Sequence, residues 1–427
     1  MISSFHVRNF KSYRDATLPL APLTLLIGAN ASGKSNAIEA IRFLSLLAEG
    51  RRLDDILSLV QSSDEAIRGN GLDLPRDTGW PIVLGCELAG EKWSQLEIAV
   101  QLGRTELCIH DEWILGPGGR ELFHLHAAGK GFMRNVHASG RGLDFFVPVS
   151  DQQAIFTQLD SPARFSPASP EESEVPPAVR AFRSALEKMR FLDPQPRRMR
   201  GYSYVGERAL NEDGSNLSSI LFDLCRTRGQ DRAVLDFVAE LPERPFTAIG
   251  FIETDRGDVM VRLTESYGHI QETRDAPVLS DGTLRVLAIA AALLSAEPGA
   301  ILVIEEIDNG VHPSRAEALL RGIERIAKER GLRVLLTTHN PAILDRLPTG
   351  AIPHVVCAYR DPEGGDSRLV RLEDLPSYPE LVARGPLGEL MTRGVLDYFL
   401  KHQPSPRERQ DQSRRWLETL KAQVGDA

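Results

Sequence analysis

Apolar and polar positions along the chain sort into two periods. Residues 1 to 27 alternate in strand fashion and end in Leu23-Thr24-Leu25-Leu26-Ile27, which predicts a strand buried on both faces. Beyond a glycine turn, Ala37, Ile38, Ile41, Leu44 and Ala48 recur at three- and four-residue spacing and predict an amphipathic helix. From about 80 to 160, β-rich runs (Pro81 to Leu88, Ser94 to Leu102, Glu106 to Leu115, Glu121 to Ala127) alternate with turns such as Gly116-Pro117-Gly118-Gly119, which predicts antiparallel pairing. Asp160 to Pro177, rich in Ser, Pro and Glu, reads as a linker. Residues 178 to 242 read as mostly helical with a loop around Pro194 to Tyr204. Strands return at Phe246 to Thr254 and Asp258 to Leu263, and helix and strand then alternate to about 375. Pro386 to Leu400 and Glu408 to Val424 are amphipathic, as docking surface or as helices packed on the body. The expected fold class is α/β, with a mixed or parallel core sheet, an antiparallel β lobe and a helical insert.

Composition narrows the class. With 427 residues, 42% of them hydrophobic and 26% charged, the chain has material for two or three ordinary domains, which excludes collagen-like, disordered and disulfide-scaffold proteins. The net charge of −9 means that any nucleic-acid contact needs a local basic patch. Cys86, Cys108, Cys225 and Cys357 stand apart, without metal-ligand spacing, as in a reducing compartment. The start, MISSFHVRNF, lacks the apolar core of a signal peptide, and the apolar stretch Leu284 to Ala296 is too short to span a bilayer. A soluble, cytoplasmic protein with no membrane contact is expected.

The sharpest chemical signal is Gly28-Ala29-Asn30-Ala31-Ser32-Gly33-Lys34-Ser35, a G-x-x-x-x-G-K-S phosphate loop. Its glycines let the backbone curl so that successive N–H groups face a phosphate, and the following helix adds its positive end. Lys34 is expected at the β- and γ-phosphates and the Ser35 hydroxyl on Mg²⁺. Ile301-Leu302-Val303-Ile304 predicts a central parallel strand that delivers two carboxylates, Glu305 and Glu306, at its carboxyl end. Neighbouring side chains on a strand point opposite ways, so Glu305 can hold the metal while Glu306 polarises an attacking water. In Leu279-Ser280-Asp281-Gly282-Thr283-Leu284-Arg285, Ser280 stands as N-cap of an apolar helix and Gly282 permits close approach, so this helix end is a second anion site or simply a capped core helix. Finally, Val334-Leu335-Leu336-Thr337-Thr338-His339-Asn340-Pro341 places a histidine at the end of a buried strand, one crossover helix (Arg315 to Arg330) after the acidic pair.

The order of these motifs resembles the Walker A, signature, Walker B, D-loop (Asp308 to Pro313) and switch-histidine elements of an ABC-type ATPase head. Asn9-Phe10-Lys11-Ser12-Tyr13, Asn36, Asn309-Gly310-Val311-His312-Pro313 and Thr338-His339-Asn340-Pro341 are similar to the RecF, SMC and OLD group, over about residues 1 to 50 and 245 to 360. The resemblance implies a homodimer whose two heads sandwich two ATP molecules. Lys34 and Ser35 would bind phosphate and Mg²⁺, Glu306 would act as base, His339 would sense the γ-phosphate, and Ser280 with Gly282 would complete the partner's site. Glu305 stands where Asp is commoner, and Gln152, Gln153 and Gln158 are the candidates for the Q-loop glutamine. The Toprim nuclease of OLD proteins has no Asp-x-Asp counterpart after His339, so any cleavage is expected from a separately encoded nuclease or toxin effector. The expected layout has the ATPase head in two segments, 1–170 and 246–375, with a helical insert at 171–245 between them and a helical tail at 376–427.

The insert carries Arg180, Arg183, Lys188, Arg190, Arg197, Arg198, Arg200 and Arg208 with few acids between them, as a solvated face or as a contact for duplex DNA. The function expected is an ATP- and Mg²⁺-dependent ATPase in anti-phage defence or DNA repair, or a slow nucleotide-dependent scaffold for an effector.

Overall fold

Two antiparallel strands open the chain, β1 (Ile2–Phe10) and β2 (Tyr13–Pro19), and β3 (Leu23–Ile27) runs into α1 (Lys34–Ala48). The structure, a computed structural model, describes residues 1–62, 67–103, 106–127, 132–135, 145–165, 173–239, 246–267, 270–309 and 313–402. After α2 (Leu53–Ser62) comes a run of antiparallel strands: β4 (Ile82–Leu88), β5 (Gln95–Leu102), β6 (Leu107–Leu115), β7 (Glu121–Ala127), β8 (Phe132–Asn135) and β9 (Phe145–Pro148). The next segment holds α3 (Val175–Glu187), β10 (Arg190–Leu192), β11 (Ser203–Tyr204), α4 (Leu217–Phe222) and α5 (Asp231–Ala239). A second, smaller sheet follows, made by β11 with β12 (Phe246–Glu253), β13 (Asp258–Tyr267) and β14 (Ile270–Asp275). Then come α6 (Asp281–Ser295), β15 (Ile301–Ile304), α7 (Pro313–Arg330), β16 (Arg333–Thr338), β17 (Val356–Arg360) and β18 (Ser367–Arg371). Short helices close the described chain. The expected helix from Glu408 to Val424 lies outside the described residues, as do Gly310, Val311 and His312.

The main sheet has fourteen strands in the order β10-β15-β16-β3-β17-β18-β2-β1-β4-β5-β6-β7-β8-β9. From β10 to β17 the neighbours are parallel, and beyond β2 every pair is antiparallel. The antiparallel lobe expected from residues 80 to 160 is therefore a continuation of the core sheet. One strand, β16, separates the phosphate-loop strand β3 from the acidic-pair strand β15. Successive residues of these strands enter different cores. Leu302, Ile304, Val334 and Leu336 pack with α6 and α7, whereas Ile301, Val303 and Leu335 pack with α1 and α3. Burial on both faces is what the unbroken apolar runs encode.

The segment read as helical also contains β10, which forms the sheet edge beside β15 in parallel register (Arg190 with Leu302, Leu192 with Ile304). Three residues between helices leave too little periodicity to mark a strand. Among the described residues no helix is long and apolar enough to cross a membrane.

Candidate functional site

Glycine imposes the shape of the loop between β3 and α1. A Cβ at Gly28 would collide with the Ala358 carbonyl, and Gly33, at φ 114°, leaves no room before Ser367 Oγ and the Tyr13 hydroxyl. The loop is braced from behind. Tyr13 donates to the Gly33 carbonyl (3.0 Å), Ser367 Oγ donates to Ser12 Oγ (2.8 Å), and the Asn36 amide donates to the same Ser12 oxygen (2.7 Å). Asn36 therefore supports the loop with its side chain while lining the cavity in front. Lys34 Nζ donates to the carbonyls of Gly28 (2.6 Å) and Ala29 (3.1 Å). Burial holds its ammonium below the ordinary lysine range, with the charges of Glu306 and Asp308 acting the other way.

Across the cavity, β15 delivers the two acids, and they diverge as strand geometry requires. Glu305 lies 3.9 Å from Arg42, which makes a two-pronged pair with Glu212 (2.6 and 2.5 Å) and stacks at 4.1 Å on the Phe191 ring. Burial pushes the Glu305 carboxyl up to about 7; Arg42 opposes this and the charges of Asp193, Glu212 and Glu306 add to it. Glu306 occupies φ 49°, an uncommon backbone for a residue with a side chain. Its N–H donates to Thr337 Oγ1 (3.0 Å), and its carboxylate accepts from the Asn309 amide. From the neighbouring strand end, His339 Nε2 stands 3.7 Å from Asp308 Oδ2, and Thr338 Oγ1 donates to Asp308 Oδ1 (2.6 Å).

These groups converge on one cavity of about 450 Å³ whose wall includes Lys34, Ser35, Glu305, Glu306 and His339. The rest of the loop from Asn30 to Asn36 lines it too. The residues present fit a nucleotide with a divalent cation. Ser32 Oγ is buried with no hydrogen-bond partner among the described residues, the loop is closed to Cβ atoms at two positions, and Ser35 with Glu305 offers the hard oxygen donors that Mg²⁺ takes. Among the described residues no group of three or more His, Cys, Asp or Glu could hold a metal unaided, so phosphate oxygens would have to share it.

Arg68, Arg360 and Asp193, at or beside the site, carry no signal in the sequence. Arg68 and Arg360 line the cavity, Arg68 donating to Glu39 (2.6 Å) and Arg360 to the Ala31 carbonyl (3.0 Å). Asp193, at the carboxyl end of β10, is raised by burial and shares electrostatic contact with Glu306 and Glu305. Only the recognition of β10 as a sheet strand could have flagged it. The Q-loop candidates do not reach the cavity. Gln153 donates to the Gly50 carbonyl (2.8 Å), Gln152 to Leu107 (3.1 Å) and Gln158 to Ser150 (2.8 Å), all near the far end of α1, roughly 20 Å from the loop at the α-helical rise.

Ser280 and Gly282 do not line the cavity either. Ser280 is the N-cap of α6, its Oγ accepting from the Thr283 N–H (3.1 Å), and it is exposed. The basic cluster of the insert is distributed among local acceptors: Arg183 pairs with Asp160 and Glu187, Lys188 with Glu297, Arg198 with Asp213, Arg200 with Asp281 and Arg208 with Asp223. Arg180 and Arg190 donate to backbone carbonyls.

Residues 150–345 match a family model described as "AAA domain, putative AbiEii toxin, Type IV TA system", and residues 1–70 match one described as "AAA ATPase domain". The chain is 38% identical over 66 residues to the DNA replication and repair protein RecF of a Synechococcus species, covering 15% of this chain and 17% of that protein. Against the RecF of Trichormus variabilis it is 38% identical over 79 residues, 18% and 20% of the two chains. The match thus spans about a fifth of the length of these curated relatives. Similar solved structures include an SmcHead bound to the C-winged helix domain of ScpA (TM-score 0.49, 15% identity, 87% of this chain and 98% of that one) and the SMC head domain from Thermotoga maritima (TM-score 0.39, 14% identity, 87% and 98%). Both family models are of ATPase domains, and phosphate loop, capped helix, acidic pair and histidine follow one another in the chain order of RecF-like ABC-type ATPases, which this chain resembles.

Proposed function

We propose that the chain binds ATP with Mg²⁺ and hydrolyses it to ADP and phosphate, and that ATP-driven pairing of two heads gates a DNA-related or effector-protein function in DNA repair or antiviral defence. The observation that carries this reading is the convergence of Lys34, Ser35, Glu305, Glu306 and His339 on one cavity. Backbone N–H groups of the loop and the Lys34 ammonium would hold the β- and γ-phosphates. Mg²⁺, when bound through Ser35 and Glu305, would neutralise charge developing on the phosphoryl oxygens. Glu306 would take the proton of the attacking water, and His339, steadied by Asp308, would meet the γ-phosphate. RecF is named for replication and repair, and the larger matching family model for a toxin system; both motivate the partner classes proposed.

The Asn309 hydrogen bond to Glu306 supports a second reading, a slowly hydrolysing scaffold that holds a separately encoded nuclease or toxin, because a carboxylate engaged by an amide is a weaker base. Turnover separates the two. Lys34→Ala should weaken nucleotide binding at least about tenfold. Glu306→Gln should retain binding and lower kcat by about 10² to 10⁴. Unchanged hydrolysis by purified Glu306→Gln protein would overturn the base assignment.

A further inference from the structure

Arg200 belongs by sequence to the basic cluster of the insert, but its guanidinium is turned inward onto the turn that precedes α6. Nη1 donates to the carbonyls of Ala276 (3.3 Å), Pro277 (2.6 Å) and Leu279 (2.8 Å), and Nη2 pairs with Asp281 Oδ1 at 2.6 Å. This turn presents Ser280. It has little internal support: Pro277 has no N–H, and the one backbone bond within it runs from the Leu279 N–H to the Ala276 carbonyl (3.3 Å). The loop carrying Arg200 is itself ordered. The Asp193 and Gln195 N–H groups donate to Glu212 and Asp213, those of Arg198 and Met199 donate to Gln195 and Pro196, and the Met199 side chain is buried.

A cation at the N-terminus of a helix opposes the helix dipole, so helix stability alone would favour an anion there. The ion pair to Asp281, whose side chain is 68% exposed, adds little by itself. What Arg200 supplies is a fixed set of donors, two of whose acceptors, the Pro277 and Leu279 carbonyls, receive no N–H from the turn itself, together with positive charge beside the exposed Ser280 hydroxyl.

We propose that Arg200 is a positioning residue of the paired-head state, holding the 276–281 turn in the conformation in which Ser280 and the first turn of α6 meet the phosphates bound by the partner head. The proposal rests on the sandwich reading given above. It also gives both terminal nitrogens of Arg200 a role within the head rather than at a nucleic-acid surface.

The test uses full-length protein carrying Glu306→Gln, with assembly followed by sedimentation velocity over an ATP titration. Closure of this protein with ATP and not with ADP is the expected baseline; if it stays monomeric, the sandwich reading fails, and the role assigned to Arg200 fails with it. Adding Arg200→Ala should raise the ATP concentration for half-closure about tenfold or more. A fluorescent ATP analogue should bind the monomer as before and the urea midpoint should barely move, which a merely structural role would not produce. Arg200→Lys, with one ammonium in place of a fork, should recover some of the loss. Hydrogen exchange of the 279–284 amides in the nucleotide-free monomer should rise in Arg200→Ala. If the baseline closes and the Arg200→Ala form closes at the same ATP concentration, the inference is wrong while the sandwich reading stands.

Discussion

At the residue scale, the shape of the site depends on a few side chains that hold the backbone under the groups proposed as catalytic. Glu306 keeps φ 49° while its N–H donates to Thr337 Oγ1, so the carboxylate proposed as base is aimed by a hydroxyl on the adjacent strand. Thr337→Val preserves shape and β-branching but removes that acceptor. The expected outcome is a fall in kcat of about ten- to a hundredfold with nucleotide affinity unchanged, since misplacing a reacting group by about 1 Å has that effect. Steady-state kinetics beside a direct binding titration separates the two, and an equal loss in both would mean that the threonine serves the loop as a whole. This hydroxyl could not be found in the sequence, where Thr337 is one more β-branched residue in a strand. The loop and the acidic pair could, because their chemistry requires fixed residue types at fixed spacing, whereas Thr337, Arg68, Arg360 and Asp193 act through three-dimensional proximity alone.

At the scale of elements, runs with a clear period were legible and short or polar ones were not. β3 and α1 are marked by a mostly apolar run and a helical stripe, and β4 to β7 by β-rich runs between turns. β14, Ile-Gln-Glu-Thr-Arg-Asp, lies with its first four residues exposed, so no apolar face announces it. Strand β6 contributes something that no pattern predicts: Glu112, fully buried, accepts from the N–H groups of Ile155 (2.7 Å) and Phe156 (2.6 Å) and ties the turn there to the lobe. Burial pushes its carboxyl from 4.5 up to about 8, against the two hydrogen bonds, which favour the charged form. Because the folded value is raised, the stability contribution is fully present below about 4.5 and is lost as pH climbs through about 8. Stability should therefore fall by up to about 1 kcal/mol per pH unit in that window. Glu112→Gln, neutral throughout, should flatten this dependence in urea titrations between pH 5 and 9. A wild-type profile already flat there would mean that the carboxyl is ionised in the folded protein at neutral pH.

At the scale of the whole molecule, the connectivity of the sheet makes the two ends of the described chain interdependent. β3 comes from the first 30 residues, yet both its neighbours, β16 and β17, come from beyond residue 330. Its side chains divide in the same way: Leu23, Leu25 and Ile27 enter the core built by α6 and α7, while Leu26 packs with α1. The phosphate loop therefore hangs from a strand whose hydrogen bonds and half of whose packing are supplied by the last third of the chain, and Gly28 itself fits against the Ala358 backbone. Such long-range pairing must pay loop-closure entropy before any contact is rewarded. Dividing the chain between Phe165 and Ser173 leaves an N-terminal piece with the loop sequence and no strands to flank β3. Neither piece produced alone should bind a fluorescent ATP analogue, and the N-terminal piece should expose apolar surface to hydrophobic dyes. Co-expressed, the two should assemble and recover binding, because the break severs no strand and no described contact of the cavity. Nucleotide binding by the N-terminal piece alone, at the affinity of the intact chain, would show that β3 and its loop are shaped locally and that β16 and β17 merely cover them.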